Sequence, residues 1–174
     1  MSNITISPSL IHGLGVFAAR GFASGESILI IDDSRVIDNR HPLQPELGEH
    51  EYHCATLARD KIVLLQSPER YINHSCQPNA YIKTIQDQRH VISLIPIRAG
   101  DEITCDYSIN CHGGEISQCA CGHPECRSTI QGDFFDLPHE LQTRYLPLLD
   151  NWFIIQHQTM IRALDLQVED SRLP

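Results

Sequence analysis

The sequence predicts a mainly β domain with helices at its C-terminal end. Short apolar runs rich in Ile, Val and Tyr recur through the first half, bounded by Gly, Pro, Asn and Asp. Helical spacing of apolar residues appears only after Gly132. Between these regions, residues 110–128 form a segment dominated by Cys, Gly and His.

Taken in order, residues 27–31 make a β-prone run after Gly25, and residues 61–65 make another. Residues 81–85 and 90–97 flank the polar stretch Gln86-Asp87-Gln88-Arg89, which predicts a hairpin. "RGFASGESILI" and "IRAGDEIT" share one pattern, with Gly25 and Gly100 where a tight turn needs φ > 0 before an apolar strand. Residues 39–59 are polar, hold two prolines and lack periodicity, so they are expected to be an insert of loop and short helix. Residues 137–149 and 151–164 predict two helices, with Pro147 breaking between them. Phe153, Ile154, His157, Ile161 and Leu164 give the second helix an apolar stripe. Trp152, Ile155, Thr159 and Arg162 lie on another side. A packed helix is the expectation for this stripe, and a homodimer surface is the alternative.

Composition bounds the function. The chain has 174 residues, is 41% hydrophobic and 20% charged, and carries a formal charge of −9. That is one ordinary globular domain with small appendages. Acidity argues against direct nucleic-acid binding and is compatible with a basic partner. The opening MSNITISPS has no basic region followed by an apolar stretch, and no run is long enough to span a bilayer, so neither a signal peptide nor membrane association is expected. Seven cysteines, several of them close together, argue for thiols or metal ligands in a reducing compartment. The expected location is cytoplasmic, or nuclear in a eukaryote, and not secreted. Only Lys61 and Lys83 are lysines. Compositional drift accounts for this, as would avoidance of self-modification.

The strongest chemical signal is Cys119-Ala-Cys121-Gly-His-Pro-Glu-Cys126. Zinc takes four soft ligands in a tetrahedron, and closely spaced thiolates on a Gly/Pro-containing loop supply three. His123, Cys111, His112 and a distant Cys are the candidates for the fourth. All four describe a closed, structural site. The zinc-deaminase pattern is excluded because no P-C-x-x-C follows His123-Pro-Glu125. The Gly-rich turn His12-Gly13-Leu14-Gly15-Val16-Phe17 lacks the dinucleotide fingerprint. In "YINHSCQPNA", His74 and Cys76 sit two apart, which leaves open a nucleophile with its base, a metal site or a polar turn. Tyr107, in Asp101-Glu102-Ile103-Thr104-Cys105-Asp106-Tyr107-Ser108, reads alone as a half-buried core residue.

In combination these motifs say more. "GLGVFAARGFASGESI", "RYINHSCQPNA", "GDEITCDYS" and "CACGHPECRS", in that order, closely resemble a SET-domain protein lysine methyltransferase with a post-SET zinc loop. The resemblance covers about residues 10–131. It implies a β-clip-like SET fold of small twisted sheets, with residues 73–80 threaded through a knot-like crossing. The expected division is 1–110 SET domain with a 39–60 insert region, 111–131 post-SET zinc loop and 132–174 C-terminal helical extension.

The resemblance implies S-adenosylmethionine held by Gly13, Leu14, Gly15, Arg70, Tyr71, Asn73, His74, Tyr107 and the backbone of Ala120. It implies Tyr107 as the catalytic residue, with Cys105 and Tyr107 in the substrate channel. It also implies that Cys76, 43 residues before Cys119, joins Cys119, Cys121 and Cys126 on one structural zinc. The implied substrate is a lysine presented by a histone tail or another basic protein. Cys105 stands where the family usually has Tyr or Phe, and its small side chain predicts room for more than monomethylation. Arg127-Ser128 replaces the more familiar Arg-Gly after the last cysteine. A non-catalytic zinc-stabilised interaction module and a Cys-dependent hydrolase are the competing readings.

Overall fold

The computed structural model describes residues 3–170. Four small sheets make up the body. The first has the order β1-β2-β10-β7, from β1 (Ile4–Pro8), β2 (Leu14–Ala18), β10 (Glu102–Cys105) and β7 (Asn73–His74). The second has the order β3-β9-β8, from β3 (Ser27–Ile30), β9 (Gln88–Ser93) and β8 (Ala80–Ile85). β4 (Val36–Ile37), β6 (Ile62–Leu64) and β5 (Cys54–Thr56) form the third, in that order. β11 (Ser117–Gln118) and β12 (Thr129–Ile130) pair at the base of the cysteine-rich loop. The C-terminal part holds α1 (His139–Tyr145), α2 (Asn151–Gln156) and α3 (Gln158–Asp170).

The β8–β9 hairpin forms as expected but turns more tightly. Gln86 and Asp87 alone make the loop, at φ 49° and 62°. A two-residue turn with both residues left-handed matches the twist of the flanking strands, so pairing reaches Ile85↔Gln88. β9 ends at Ser93. Beyond it, Ile97 leaves the sheet to bridge Phe22.

Side chains from both larger sheets meet in one core. Val16, Phe22, Ile28, Val91, Ile97 and Ile103 are buried there together. Fully burying one such side chain contributes about 1.5–3 kcal/mol. A second core gathers Phe134, Leu137, Tyr145, Leu149, Phe153, Ile161 and Leu164. The apolar stripe after Asn151 therefore packs inward, and Ile155, on another side of the chain, is 71% exposed.

The helices differ from expectation in two places. α1 gives way to a 3-10 turn, Leu146–Leu148, that contains Pro147. The second expected helix breaks at His157, at φ −111°. There the imidazole packs against the rings of Phe153 (4.5 Å) and His112 (4.6 Å). In the insert, 3-10 turns Pro45–Leu47 and Glu51–His53 realise the expected short helix, and β5 is an unanticipated strand. Among the described residues, no helix is long and apolar enough to cross a membrane.

The C-terminal helices are fastened to the body by polar bonds. Asp150, 2% exposed, accepts from the Thr84 amide (2.9 Å) and hydroxyl (2.6 Å). Its own amide donates to Asn110 Oδ1 at 2.6 Å. The Arg59 amide in the insert donates to Gln156 Oε1 at 3.0 Å.

Candidate active site and cysteine cluster

The site is built where β7 lies parallel to β10, with Asn73 opposite Thr104 and His74 opposite Cys105. Two residues make a short strand, so the segment needs other ties. The Ser75 amide donates to the Cys105 carbonyl at 3.0 Å. Asn79 then bonds β10 from both ends of its amide, donating to the Glu102 carbonyl (2.7 Å) and accepting from the Thr104 amide (2.9 Å). Pro78-Asn79 thus continues the sheet contact with a side chain in place of a strand.

Asn73 faces the Gly-rich turn. Its Nδ2 lies 3.1 Å from the His12 carbonyl, 3.0 Å from that of Leu14 and 2.8 Å from Glu102 Oε1. Ser9 Oγ donates to the same carboxylate at 2.9 Å. A Cβ on Gly15 would meet Glu102 Oε1 at 2.4 Å, so a larger residue there would have to push that carboxylate aside. Gly13 adopts φ +49° and has nothing within 4 Å of where a Cβ would stand. Leu14 is 42% exposed.

His74 is buried, and both ring nitrogens are engaged. Nδ1 accepts from the Tyr107 amide at 3.1 Å. The ring proton therefore sits on Nε2, which points at Cys76 Sγ, 3.5 Å away. Burial pushes the His74 pKa down to about 4, against the pull of the nearby Asp106 carboxylate, so the ring is neutral at pH 7. One imidazole thus joins the backbone at Tyr107 to a sulfur of the cysteine cluster.

Tyr107 packs its ring on His74, with centroids 5.3 Å apart, and donates its hydroxyl to the Ile72 carbonyl at 2.7 Å. Burial, with Cys105 and Glu102 close by, raises the phenol pKa, so the hydroxyl stays protonated. The ring is 48% exposed and opens onto a cavity of about 480 Å³. Arg70 and Cys105 line that cavity from the body, Tyr52 and His53 from the insert, and Trp152 and Phe153 from α2. Gly13, Leu14, Gly15, Asn73, His74 and Ala120 are not among the lining residues. Tyr71 packs half-buried against the first core.

Cys105 is buried at the head of the cavity, and burial with the Asp106 charge pushes its thiol pKa up to about 12. Only the thiolate alkylates, and at pH 8 roughly one molecule in 10⁴ carries it. Iodoacetamide at pH 8 should therefore leave Cys105 unmodified in the native protein and label it after unfolding, as read by peptide mass spectrometry.

The sulfurs of Cys76, Cys119, Cys121 and Cys126 all lie within 4.8 Å of one another. Cys76 and Cys119 are 3.6 Å apart. Amides of Cys121, Arg127 and Ser128 point at the sulfurs of Cys119, Cys76 and Cys126 at 3.3–3.5 Å. The other candidates for the fourth position are occupied elsewhere or lie outside the group. His123 Nδ1 accepts from the Glu125 amide at 3.2 Å, and His112 Nδ1 pairs with Asp133 at 2.7 Å. Cys111 is not in the cluster. Ala120 is exposed between two of the cysteines.

Sequence reasoning missed Ser9 and Glu102, which set the position of Asn73 under the turn, and Asn79, which ties its segment to β10. It also missed a buried network on Asp106. Asp106, Arg127 and Tyr145 are each ordinary residues in their local sequence, and only the fold brings them together.

The family is settled by comparison. The SET domain model matches residues 13–108, more than half of the chain, so this protein belongs to the SET domain family. Among its relatives are the histone-lysine N-methyltransferase Set2 of Drosophila melanogaster, 31% identical over 70% of this chain, and the H3 lysine-4 specific histone-lysine N-methyltransferase of Schizosaccharomyces pombe, 32% identical over 71%. The matched regions span 6% and 14% of those two relatives. A solved Plasmodium falciparum chain, described as a candidate histone methyltransferase, is 26% identical and superposes with a TM-score of 0.47, covering 60% of this chain and 91% of that one.

Proposed function

We propose that the protein is a protein lysine N-methyltransferase that moves a methyl group from S-adenosylmethionine to a lysine side chain of a basic protein. A histone tail is the leading substrate class, as the names of the relatives suggest. The observation that carries the reading is Tyr107, half-exposed in the wall of the cavity with its hydroxyl proton already committed to the Ile72 carbonyl. The SET domain would be 1–110, the zinc loop 111–131 and the helical extension 132–174. Work on such substrates belongs in the cytosol, or in the nucleus of a eukaryotic cell.

The residues fit both cofactors. Zinc–sulfur bonds of about 2.3 Å set the sulfurs of a tetrahedron about 3.8 Å apart, close to the 3.6 Å between Cys76 and Cys119. Cys76, Cys119, Cys121 and Cys126 would therefore hold a structural zinc. For S-adenosylmethionine, the turn at Gly13, Leu14 and Gly15 has open space beside Gly13 and an exposed Leu14, and Arg70 Nε is a buried donor with no partner. Arg70, Tyr71, Asn73, His74, Tyr107 and the backbone of Ala120 complete the proposed cofactor wall.

The cofactor supplies an electrophilic methyl group on a sulfonium sulfur. The lysine Nζ must arrive neutral; its C–N bond forms as the C–S bond breaks, and one amine proton then leaves to solvent. The half-apolar cavity favours the neutral amine, because burial disfavours the charged form. Tyr107 cannot act as a base, since its phenol stays protonated. With that proton given to Ile72, the oxygen keeps lone pairs for the incoming amine. Its contribution is orientation, which is most of what an in-line displacement needs.

The test is mass spectrometry of a cell lysate and of core histones incubated with protein and methyl-labelled cofactor. Label on lysine is the expected result, with dimethyl or higher product because Cys105 leaves room. Cofactor binding without protein labelling would contradict the enzyme reading, and monomethyl product alone would contradict the role given to Cys105.

A further inference from the structure

The Asp106 side chain has no exposed surface and sits immediately before Tyr107. Groups from distant parts of the chain meet on its two oxygens. Arg127 Nη1 reaches Oδ2 at 2.7 Å, and Nη2 reaches Oδ1 at 3.0 Å. The Tyr145 hydroxyl donates to Oδ2 at 3.2 Å. The Ser108 amide donates to Oδ1 at 3.1 Å, and His74 Nδ1 lies 3.6 Å from the same oxygen. His74 Nδ1 already accepts from Tyr107, so it is a neighbour here and no donor.

The partners belong to different structural units. Arg127 follows Cys126, and its amide points at Cys76 Sγ from 3.4 Å. Its main chain thus faces the sulfur cluster while its guanidinium faces Asp106. Tyr145 ends α1, is 1% exposed and packs in the second core with Phe134, Leu149 and Phe153. Another side-chain tie from loop to body, Gln77 to Glu125, is exposed. A two-pronged guanidinium–carboxylate pair fixes orientation as well as distance. Buried as it is, it leaves an uncompensated charge if either member is lost.

We infer that Asp106 is a positioning residue, a latch through which the docked C-terminal helices hold the cysteine loop closed beside Tyr107. α1 presents Tyr145 to the carboxylate, the carboxylate sets Arg127, and Arg127 orients the loop that carries Cys119, Cys121 and Cys126. The extension beyond residue 131 is then part of the active-site closure, although it lies outside the matched SET region. The inference rests on the zinc and cofactor reading only where it speaks of closure over a ligand; the latch itself is a matter of loop order.

The test uses the zinc-loaded full chain with Tyr145→Phe, which removes one hydroxyl and keeps the buried ring. Amide exchange is followed over residues 117–130, with zinc transfer to a chromogenic chelator and steady-state kinetics alongside. The variant should exchange faster in residues 119–128 and leave the β8–β9 hairpin unchanged. Zinc transfer should quicken about tenfold, as expected for losing one hydrogen bond to a charged group. KM for the methyl donor should rise while kcat holds.

Asp106→Asn should act more strongly, because it strands the Arg127 charge. Adding Arg127→Gln should restore part of the loss, which a purely local packing role would not produce. Wild-type exchange in residues 119–128 of Tyr145→Phe, or a uniform rise across all elements, would overturn the latch. Wild-type protein that takes up neither zinc nor methyl donor would instead overturn the functional reading, and the exchange comparison would still decide the latch.

Discussion

Cys76→Ser should empty the proposed metal site and loosen a loop whose first cysteine lies more than forty residues later in the chain. The Cys76 sulfur is 1% exposed and is approached by the Arg127 amide, by His74 Nε2 and by Cys119 Sγ. A serine hydroxyl is a harder and less acidic ligand than a thiol, so the proposed zinc would keep three thiolates on one loop and lose its one ligand from the body. Structural zinc contributes about 10–16 kcal/mol to the order of small zinc-binding units at pH 7. Metal content should therefore fall from one zinc per chain to a small fraction. Protease should cut within residues 111–131 while the hairpin and the first core stay protected, because no member of the cluster besides Cys76 lies in the body. One bound zinc in the serine variant would remove Cys76 from the ligand set.

Tyr107→Phe should abolish methyl transfer without unfolding the chain. The substitution removes one oxygen from a ring that is already half-exposed, so the core is untouched. The Ile72 carbonyl loses its donor, but it faces the cavity, where water can replace the bond. What disappears is the oriented oxygen at the proposed site of transfer. Removing a single preorganised polar group of this kind costs about 10²–10³ in kcat. Cofactor binding should change little, since phenylalanine keeps the ring that Tyr107 gives the proposed cofactor wall, and the turn at Gly13 and the amide of Asn73 do not touch the hydroxyl. Zinc content measured on the same sample separates a chemical effect from a folding defect.

Much of this arrangement was legible in the sequence because its signals are local. The Gln86–Asp87 turn lies between two β-prone runs, and Cys119, Cys121 and Cys126 fall within eight residues. The resemblance supplied the distant member, Cys76, whose sulfur the structure brings into the same group. Less legible were features that depend on few residues or on partners far along the chain. β7 has two residues, too few for any periodicity, and is held in place by Asn79 acting across the gap. The break at His157 answers rings contributed by Phe153 and His112, and helical spacing alone runs straight through it. The Asp106 latch joins positions 106, 127 and 145, none of which stands out locally.

The two halves of "YINHSCQPNA" also proved more closely joined than the sequence suggested. Asn73 lies under the Gly-rich turn, Cys76 lies in the sulfur cluster, and His74 between them joins that cluster to Tyr107, accepting from the Tyr107 amide and pointing its ring proton at Cys76. The nucleophile reading of Cys76 loses its geometry, because the sulfur faces three other sulfurs in place of the cavity.

The central claim is that Tyr107 orients a lysine for methyl transfer. The most direct test is transfer of tritiated methyl from S-adenosylmethionine to core histones, run with wild-type and Tyr107→Phe proteins matched for zinc content. The account predicts label on histone lysine with the wild type and none above background with the variant. Equal labelling by both proteins would contradict it.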